Sequence, residues 1–164
     1  MAVRTVRVMG DAILEKKCRA VEEMTPKILE LINDMYETMS DERGVGLAAP
    51  QVGVLKRIFV IDLSEYEEGE KPRVLINPEI VEAEGEQTGD EGCLSLPGKM
   101  GTVTRPESVK ITALDENMKP FTLEASGLMA RAICHENDHL DGVLYTELVE
   151  GDLRSNQPIE EEEE

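Results

Sequence analysis

Both histidines of the chain lie in one short segment, His-Glu-Asn-Asp-His at 135–139, four residues apart. A helix is predicted from about residue 126 to residue 139, with Gly142 as its stop, so this spacing places both imidazoles on one helical face. Two imidazoles on one face can share a metal ion, and Glu136 beside them can take a proton from water at the metal. The fold must therefore bring a further ligand to this helix, because a catalytic site of this kind uses three protein ligands.

The sequence after the second histidine offers no suitable third ligand. One class of metalloprotease has a third histidine six residues beyond the second, and that position holds Tyr145 here. Another class uses a glutamate on a following helix, but Glu147 and Glu150 come too soon after His139 to match it. The third ligand is therefore expected from an upstream segment.

Among the three cysteines, Cys93 is the strongest candidate for that ligand. It lies in Glu-Gly-Cys-Leu-Ser-Leu-Pro, residues 91–97, where glycine lets the backbone approach a metal closely. A thiolate beside two imidazoles suits Fe(II), Zn, Co or Ni, although a lone cysteine is more often a small buried side chain. Cys134 points away from the histidine face and is expected in the core, and Cys18 is expected to be exposed or half-buried.

A run of small residues, Gly-Val-Gly-Leu-Ala-Ala-Pro-Gln-Val-Gly, occupies positions 44–53. It formally matches a dinucleotide-binding fingerprint, but a predicted helix precedes it and Pro50 follows, whereas that fingerprint needs a strand before and a helix after. The functional alternative is close approach of the backbone to an extended ligand, with the Gln51 amide donating to a developing oxyanion. The other interpretation is an ordinary glycine turn with an exposed Gln51.

The apolar pattern predicts an α+β fold: a single domain of short, mostly antiparallel strands around the central H-E-x-x-H helix, with an N-terminal amphipathic helix. Thr25 and Pro26 are predicted to begin that first helix, whose apolar face includes Leu29 and which ends before Gly44. Strands are predicted near residues 3–8, 58–61, from 74, at 80–84, 109–114 and 121–125. Asn77-Pro78 is predicted to be a turn or a strand break, and residues 115–117 a hairpin-like turn.

Composition limits the partners and the setting. The formal net charge of −18 argues against a nucleic-acid-binding protein, because such proteins need a basic face. No apolar stretch approaches the ~20 residues of a membrane span, and the three cysteines are odd in number, which argues against a disulfide framework. A cytoplasmic protein is expected, with a catalytic domain at 1–150 and an acidic, disordered tail at 151–164.

Three blocks of sequence together resemble the peptide deformylase family. They are Gly-Val-Gly-Leu-Ala-Ala-Pro-Gln at 44–51, Glu-Gly-Cys-Leu-Ser at 91–95 and His-Glu-x-x-His at 135–139, and they match that family's three motifs in type and order. The similarity runs from about Val8 to Leu148. The resemblance implies removal of the formyl group from the N-terminal methionine of new polypeptides, with release of formate.

The resemblance also implies a role for each matching residue. Cys93, His135 and His139 would hold one divalent metal ion, usually Fe(II), with Zn, Ni or Co as substitutes. Glu136 would be the general base and then the acid. The oxyanion would be held by Gln51 and the backbone N–H of Leu94, and the substrate peptide would lie along Gly46 and Gly92. Candidate walls of an apolar pocket are Val45, Leu47, Leu128 and Ile133.

The chain departs from many family members in two places. Residues 98–104 contain Lys99 but no arginine, where some members have an arginine that meets the substrate, and Arg105 follows only later. Many members also continue into a basic C-terminal helix, whereas this chain ends in an acidic run. A transient ribosome association is implied by the resemblance, but RNA phosphate would repel this acidic end.

Two other hypotheses for the function of the site stay open at this point. One is a different metallohydrolase such as a metallopeptidase, which the missing downstream ligand disfavours. The other is a metal-stabilised module that binds peptide termini without catalysis. Glu136 argues against the second, because a purely structural metal site has no use for a general base and closes with a fourth ligand.

Overall fold

Two antiparallel sheets and two α-helices make up residues 2–155, the part of the chain that the structure, a computed structural model, describes. In chain order the elements are α1 (Pro26–Asp41), β1 (Gly46–Ala48), β2 (Ile58–Ile61), β3 (Arg73–Glu84), β4 (Gln87–Cys93), β5 (Leu96–Arg105), β6 (Ser108–Leu114), β7 (Pro120–Ser126), α2 (Gly127–Leu140) and β8 (Glu150–Ser155). The larger sheet has the order β1-β2-β3-β6-β7 and the smaller one β4-β5-β8. The predicted α+β class, with the H-E-x-x-H segment on a central helix, is confirmed.

Strand β2 is buried on both faces because a helix covers each side of the larger sheet. Phe59 and Ile61 belong to the apolar cluster that contains Ile133 of α2, whereas Ile58 and Val60 belong to the cluster that contains Met35 of α1. Successive strand residues point to opposite faces. This is why the segment is a continuous apolar run rather than an alternating one.

The N-terminal helix begins where the sequence predicts. The Thr25 hydroxyl accepts a hydrogen bond from the Ile28 amide at 3.2 Å, and Pro26 occupies the first turn, where its missing N–H costs nothing. Met35 and Met39 on the apolar face are buried, but Leu29, which the same spacing places on that face, is 43% exposed. The helix is amphipathic as predicted, but its buried face is narrower than the predicted apolar face, because Leu29 lies outside it.

The hairpin of β6 and β7 is also confirmed. Its turn is held by Asp115, whose Oδ1 accepts from the amides of Asn117 at 2.8 Å and Lys119 at 3.0 Å. An acidic side chain that bonds the backbone two and four residues on favours such a turn locally.

The predicted break at Asn77 is wrong, because β3 continues through it with a bulge. Asn77 has a φ of +52°, and the pairing of β3 with β6 shifts register between Ile76 and Glu79. The Asn77 side chain accepts from the amide of Val21 and donates to its carbonyl, both at 2.8 Å. These two bonds stabilise the left-handed conformation, which asparagine tolerates better than most residues.

Residues 3–8 do not form the predicted strand. Their backbone is bound by isolated hydrogen bonds instead: the Arg4 amide donates to the Thr38 hydroxyl at 2.8 Å, and the Arg7 amide donates to the carbonyl of Gln51 at 2.7 Å. The backbone amides of this segment therefore bond the Thr38 hydroxyl and the Gln51 carbonyl rather than the edge of a strand.

Strands β4 and β5 were not predicted. Both contain glycines, among them Gly89 and Gly101, and several exposed polar side chains, so their intrinsic strand propensity is low. Their pairing over 87–91 and 101–105 makes them the main part of the smaller sheet.

The expectation of disorder from residue 151 onward is wrong for residues 151–155, which belong to β8. This strand pairs with β5, and the absence of a side chain at Gly101 makes room for Val149 and Leu153, since a Cβ there would lie 2.6 Å from Val149. Arg154 also pairs with Asp90 of β4. The remainder of the predicted tail, 156–164, lies outside the described residues.

Two of the three cysteines lie in the core. Cys134 is 7% exposed, as predicted, but Cys18 is equally buried, which makes the prediction of an exposed or half-buried Cys18 wrong. The Cys18 amide donates to the Leu140 carbonyl at the end of α2, which draws the side chain into the cluster below that helix. No helix within residues 2–155 is long and apolar enough to cross a membrane.

The end of α2 gives a stability prediction. Gly142 has a φ of +77°, and a Cβ there would lie 2.6 Å from the carbonyl oxygen of Glu15 and 3.1 Å from the amide nitrogen of Lys16. Because backbone cannot move aside as a flexible side chain can, we expect Gly142→Ala to lower the free energy of unfolding by about 3 kcal/mol, from backbone strain plus overpacking. Urea unfolding monitored by circular dichroism measures it.

Gly151→Ala is the matched control. Gly151 has a similar φ of +82°, but no atom lies within 4 Å of the position that a Cβ would take there. Only the cost of the left-handed conformation, about 1 kcal/mol, is expected at this residue. Equal losses in the two variants would contradict the close contact at Gly142.

Candidate metal centre

The three predicted ligands converge from two elements. Cys93 ends β4, His135 and His139 lie on α2, and their ligand atoms all lie within 4.8 Å of one another. The Cys93 Sγ is 3.4 Å from the His139 Nε2. A sulfur and a nitrogen bound to one tetrahedral cation would be about 3.6 Å apart, so this arrangement fits a divalent metal ion.

Glu91 orients the first of the two histidines. The His135 Nδ1 lies 2.9 Å from the Glu91 Oε1, and both side chains are buried. With Nδ1–H donating to the carboxylate, the lone pair is on Nε2, the nitrogen left for a metal. His135 therefore has the supporting hydrogen bond that metal-binding histidines ordinarily have, whereas the buried Nδ1 of His139 has no partner within residues 2–155.

The same carboxylate binds two buried arginines. Arg105 contacts both Glu91 oxygens, at 2.7 and 2.9 Å, and Arg131 lies 2.8 Å from Oε2. Burial raises the pKa of Glu91, but hydrogen bonds from Arg105 and His135 outweigh it and lower the pKa to about 2. Glu91 therefore stays charged at neutral pH.

This group of buried charges was not found by reasoning from the sequence. Arg105 also binds Asp138 at 2.7 Å and is 5% exposed, so it holds β5 to α2 and does not line the cavity at the site. Arg131 could have been found, because it precedes His135 by four residues and so shares its helical face. For Glu91 and Arg105 the sequence carries no comparable local signal.

The pKa values of the two histidines shift in opposite directions. Burial lowers the pKa of His135, but its hydrogen bonds to Cys93 and Glu91 raise it well above the usual range. For His139, burial and then the positive charges of His135 and Arg105 lower the pKa well below that range. His139 is thus held neutral, whereas His135 would have to give up its Nε2 proton to bind a cation.

Glu136 is packed directly against the backbone of β1. It is 5% exposed, and a Cβ on Gly46 would lie 2.5 Å from its Oε2, so only glycine fits there. Its Oε1 is buried with no hydrogen-bond partner within residues 2–155. Burial raises the pKa of Glu136 to about 7, so this carboxyl group can exchange a proton near neutral pH.

Gln51 is buried rather than exposed, which removes the alternative of an ordinary surface turn. Its Oε1 accepts from the Ala48 amide at 2.9 Å, and its Nε2 donates to the Ser95 hydroxyl at 3.0 Å and lies 3.6 Å from the Cys93 Sγ. Because the Ala48 N–H requires an acceptor, the amide is oriented with its NH₂ group toward the metal ligands.

A cavity of about 460 Å³ opens beside these groups. Its lining includes Gln51, Cys93, Leu94, His135 and Glu136, together with Gly46 and Gly92. The residues predicted for catalysis, metal binding and substrate binding therefore line this cavity, except His139, whose ligand atom lies within 4.8 Å of those of Cys93 and His135.

Two of the four predicted apolar walls are correct. Val45 and Leu128 line the cavity, whereas Leu47 and Ile133 are fully buried in the apolar clusters on the two sides of the larger sheet. Leu47 points toward the α1 side of the sheet, and Ile133 lies on the face of α2 that meets the sheet. Neither orientation follows from hydrophobicity alone.

Strand β1 presents an unpaired edge to the cavity. It is the outermost strand of the larger sheet, and the Val45 carbonyl accepts from the Asp62 amide at 2.9 Å on the side of β2. Successive strand residues direct their backbone groups to opposite edges. The N–H and C=O of Gly46 therefore face the cavity, where an extended peptide can pair with them.

Comparisons with known proteins agree with this geometry. The Polypeptide deformylase family model matches residues 3–154. The peptide deformylase of Lachnoclostridium phytofermentans is 62% identical over 164 residues, 100% of this chain and 99% of that protein, and that of Agathobacter rectalis is 62% identical over 153 residues, 93% and 94%. The crystal structure of a peptide deformylase from Legionella pneumophila has a TM-score of 0.86 at 44% identity, covering 91% of this chain and 87% of that one. Because the family model matches almost the whole length of this chain, the chain belongs to the peptide deformylase family.

Proposed function

We propose that this chain removes the formyl group of formylmethionyl peptides with Cys93, His135 and His139 as the metal ligands and Glu136 as the proton carrier. Its family consists of metal-dependent hydrolases that deformylate the N-terminal methionine of new polypeptides. The observation that carries the assignment is the convergence of the three ligands beside the buried Glu136, next to the open edge of β1.

Fe(II) is the metal that we assign, with Zn, Ni or Co as substitutes. One soft thiolate and two imidazoles accept each of these ions, and the separation of Cys93 from His139 suits all of them. When bound, the cation supplies a Lewis acid that acidifies water and polarises a carbonyl oxygen.

The residues around the metal carry out proton transfer and stabilise the oxyanion. Glu136 accepts the proton that water loses as its oxygen bonds to the formyl carbon, and then gives it to the amine nitrogen as the C–N bond breaks. The Gln51 NH₂ and the Leu94 N–H donate to the oxyanion that forms between these steps. Formate and a free amino terminus are the products. The close packing of Glu136 against Gly46 suits formyl, the smallest acyl group.

The substrate backbone is proposed to lie along Gly46 on one wall and Gly92 on the other. Its methionine side chain then faces Val45 and Leu128, the apolar part of the cavity. The cytoplasm is the proposed setting, where formylated nascent chains arise and the three free cysteines stay reduced. Any ribosome association is proposed to be transient and to avoid the C-terminal glutamates, which RNA phosphate repels.

The first prediction from this mechanism concerns the proton carrier. Glu136→Ala and Glu136→Gln should each lower kcat for formate release from formyl-Met-Ala-Ser by a factor of roughly 10² to 10⁴, because neither side chain can move the proton. Formate is measured with enzyme purified anaerobically and loaded with one metal ion per chain.

Metal content of the same variants is the control. Both should keep the metal, since Glu136 is not among the clustered ligand atoms. Formate release by either variant at the normal rate would disprove the role of Glu136 and leave the metal site standing.

The second prediction concerns the ligand set. Cys93→Ser should weaken metal binding by at least about tenfold, because a hydroxyl is a far poorer ligand than a thiolate for these ions. Metal retained after dialysis is measured by atomic emission. Cys18→Ala is the matched control, since Cys18 lies in the core away from the site. Equal retention by Cys93→Ser and the original chain would remove Cys93 from the ligand set.

A further inference from the structure

A second groove, of about 680 Å³, lies beyond the N-terminal end of β1. Its walls include Tyr36 from α1 and Asp62, Glu65 and Tyr66 from the segment between β2 and β3. Nothing in the proposed chemistry uses these side chains. The groove is nevertheless continuous with the catalytic cavity, because Arg43, Gly44 and Val45 line both.

A bound peptide has only one way to leave the metal ligands along β1. The formyl end must lie next to Gly46, where Glu136 is packed. Toward Ala48 the edge is closed by Gln51, which is 1% exposed, whereas toward Gly44 it opens to the exposed Arg43. From Gly46 to Arg43 an extended chain covers about 10 Å in three residues. The fourth residue of the peptide therefore arrives at the mouth of the second groove.

The groove is acidic and partly aromatic. Arg43 is the one cationic side chain in its lining, against the carboxylates of Asp62 and Glu65. Within residues 2–155 neither carboxylate has an ion pair. Burial, followed by the negative charges of Glu116 and Asp62, raises the pKa of Tyr36 to about 12. Asp62, which lines the groove, is the last of these three contributions.

Tyr66 adds a second feature that favours a cation. It is 63% exposed and lines the groove, so its ring is accessible to a bound side chain. Lysine and arginine side chains gain both from carboxylates and from the face of a tyrosine ring.

We propose that this groove binds the fourth to sixth residues of the formylated nascent chain and favours lysine or arginine there. The proposal rests on the proposed function, because it takes the direction of the peptide from the place of the formyl group. It adds a selectivity for sequence downstream of the methionine, set by Asp62, Glu65 and Tyr66.

The test compares peptides that share one N-terminal half. Formate release is measured from formyl-Met-Ala-Ser, and from the same tripeptide extended by Lys-Lys, Gln-Gln or Glu-Glu amides. The kcat/KM for the lysine peptide should exceed that for the glutamate peptide by roughly fivefold to tenfold, as expected for two exposed charge contacts, with the glutamine peptide between them. Most of the difference should be in KM, since the groove does not touch the reacting atoms.

Two double variants separate the groove from the overall charge of the chain. In the double variant Asp62→Asn, Glu65→Gln, the ratio of kcat/KM for the lysine peptide to that for the glutamate peptide should fall below about twofold. Asparagine is chosen because its side-chain oxygen can still accept the hydrogen bond from the Ser64 amide. The control, Glu84→Gln with Glu124→Gln, removes two charges from a different groove, at the far side of the larger sheet, and should keep the full ratio.

Each outcome decides a different statement. Equal kcat/KM for the three extended peptides, with formate released from all, would disprove the selectivity proposed for the groove and leave the proposed function intact. A ratio that falls as much in the control as in the groove variant would also overturn it, by assigning the preference to net charge. No formate from any peptide, the tripeptide included, would overturn the proposed function itself.

Discussion

The arrangement of the site depends on one buried carboxylate, that of Glu91. A charge taken out of water must be paired and hydrogen-bonded, or the fold is strongly destabilised. Glu91 on β4 meets this requirement with Arg105 from β5 and with Arg131 and His135 from α2. Removing any one of these three partners would cost Glu91 a buried hydrogen bond. These contacts therefore constrain how the smaller sheet packs against α2. In this packing Cys93 lies opposite the two histidines.

The larger sheet positions the other half of the site by having both faces covered. With α1 on one side and α2 on the other, β2 is fully buried, and β1 at one edge of the sheet has backbone groups open to the cavity. The edge strand is only three residues long, so it offers little for unwanted pairing with other chains. The glycine at its start lets Glu136 approach the backbone. The open edge of β1 and the Glu136 carboxylate thus meet at Gly46.

Sequence reasoning succeeded where the signal is local. The cap at Thr25, the turn at Asp115 and the stop at Gly142 each depend on residues within a few positions, and each is found in the structure. It failed where a partner distant in sequence decides the conformation. Asn77 bulges because it binds Val21, 56 residues away, and β8 forms because Gly101 leaves room for its apolar side chains.

The same division holds for the site. The residue types of the site could be read from local sequence: two imidazoles four residues apart on a helix, a carboxylate beside them and a thiolate in a glycine-flanked segment, because helical spacing is a local property. Packing of distant segments was needed to bring Cys93 within 3.4 Å of His139 across 46 residues, and to turn Val45, not Leu47, toward the cavity. The acidic groove beyond β1 also needed the tertiary structure, since its walls come from segments that meet only when the sheet and α1 pack together.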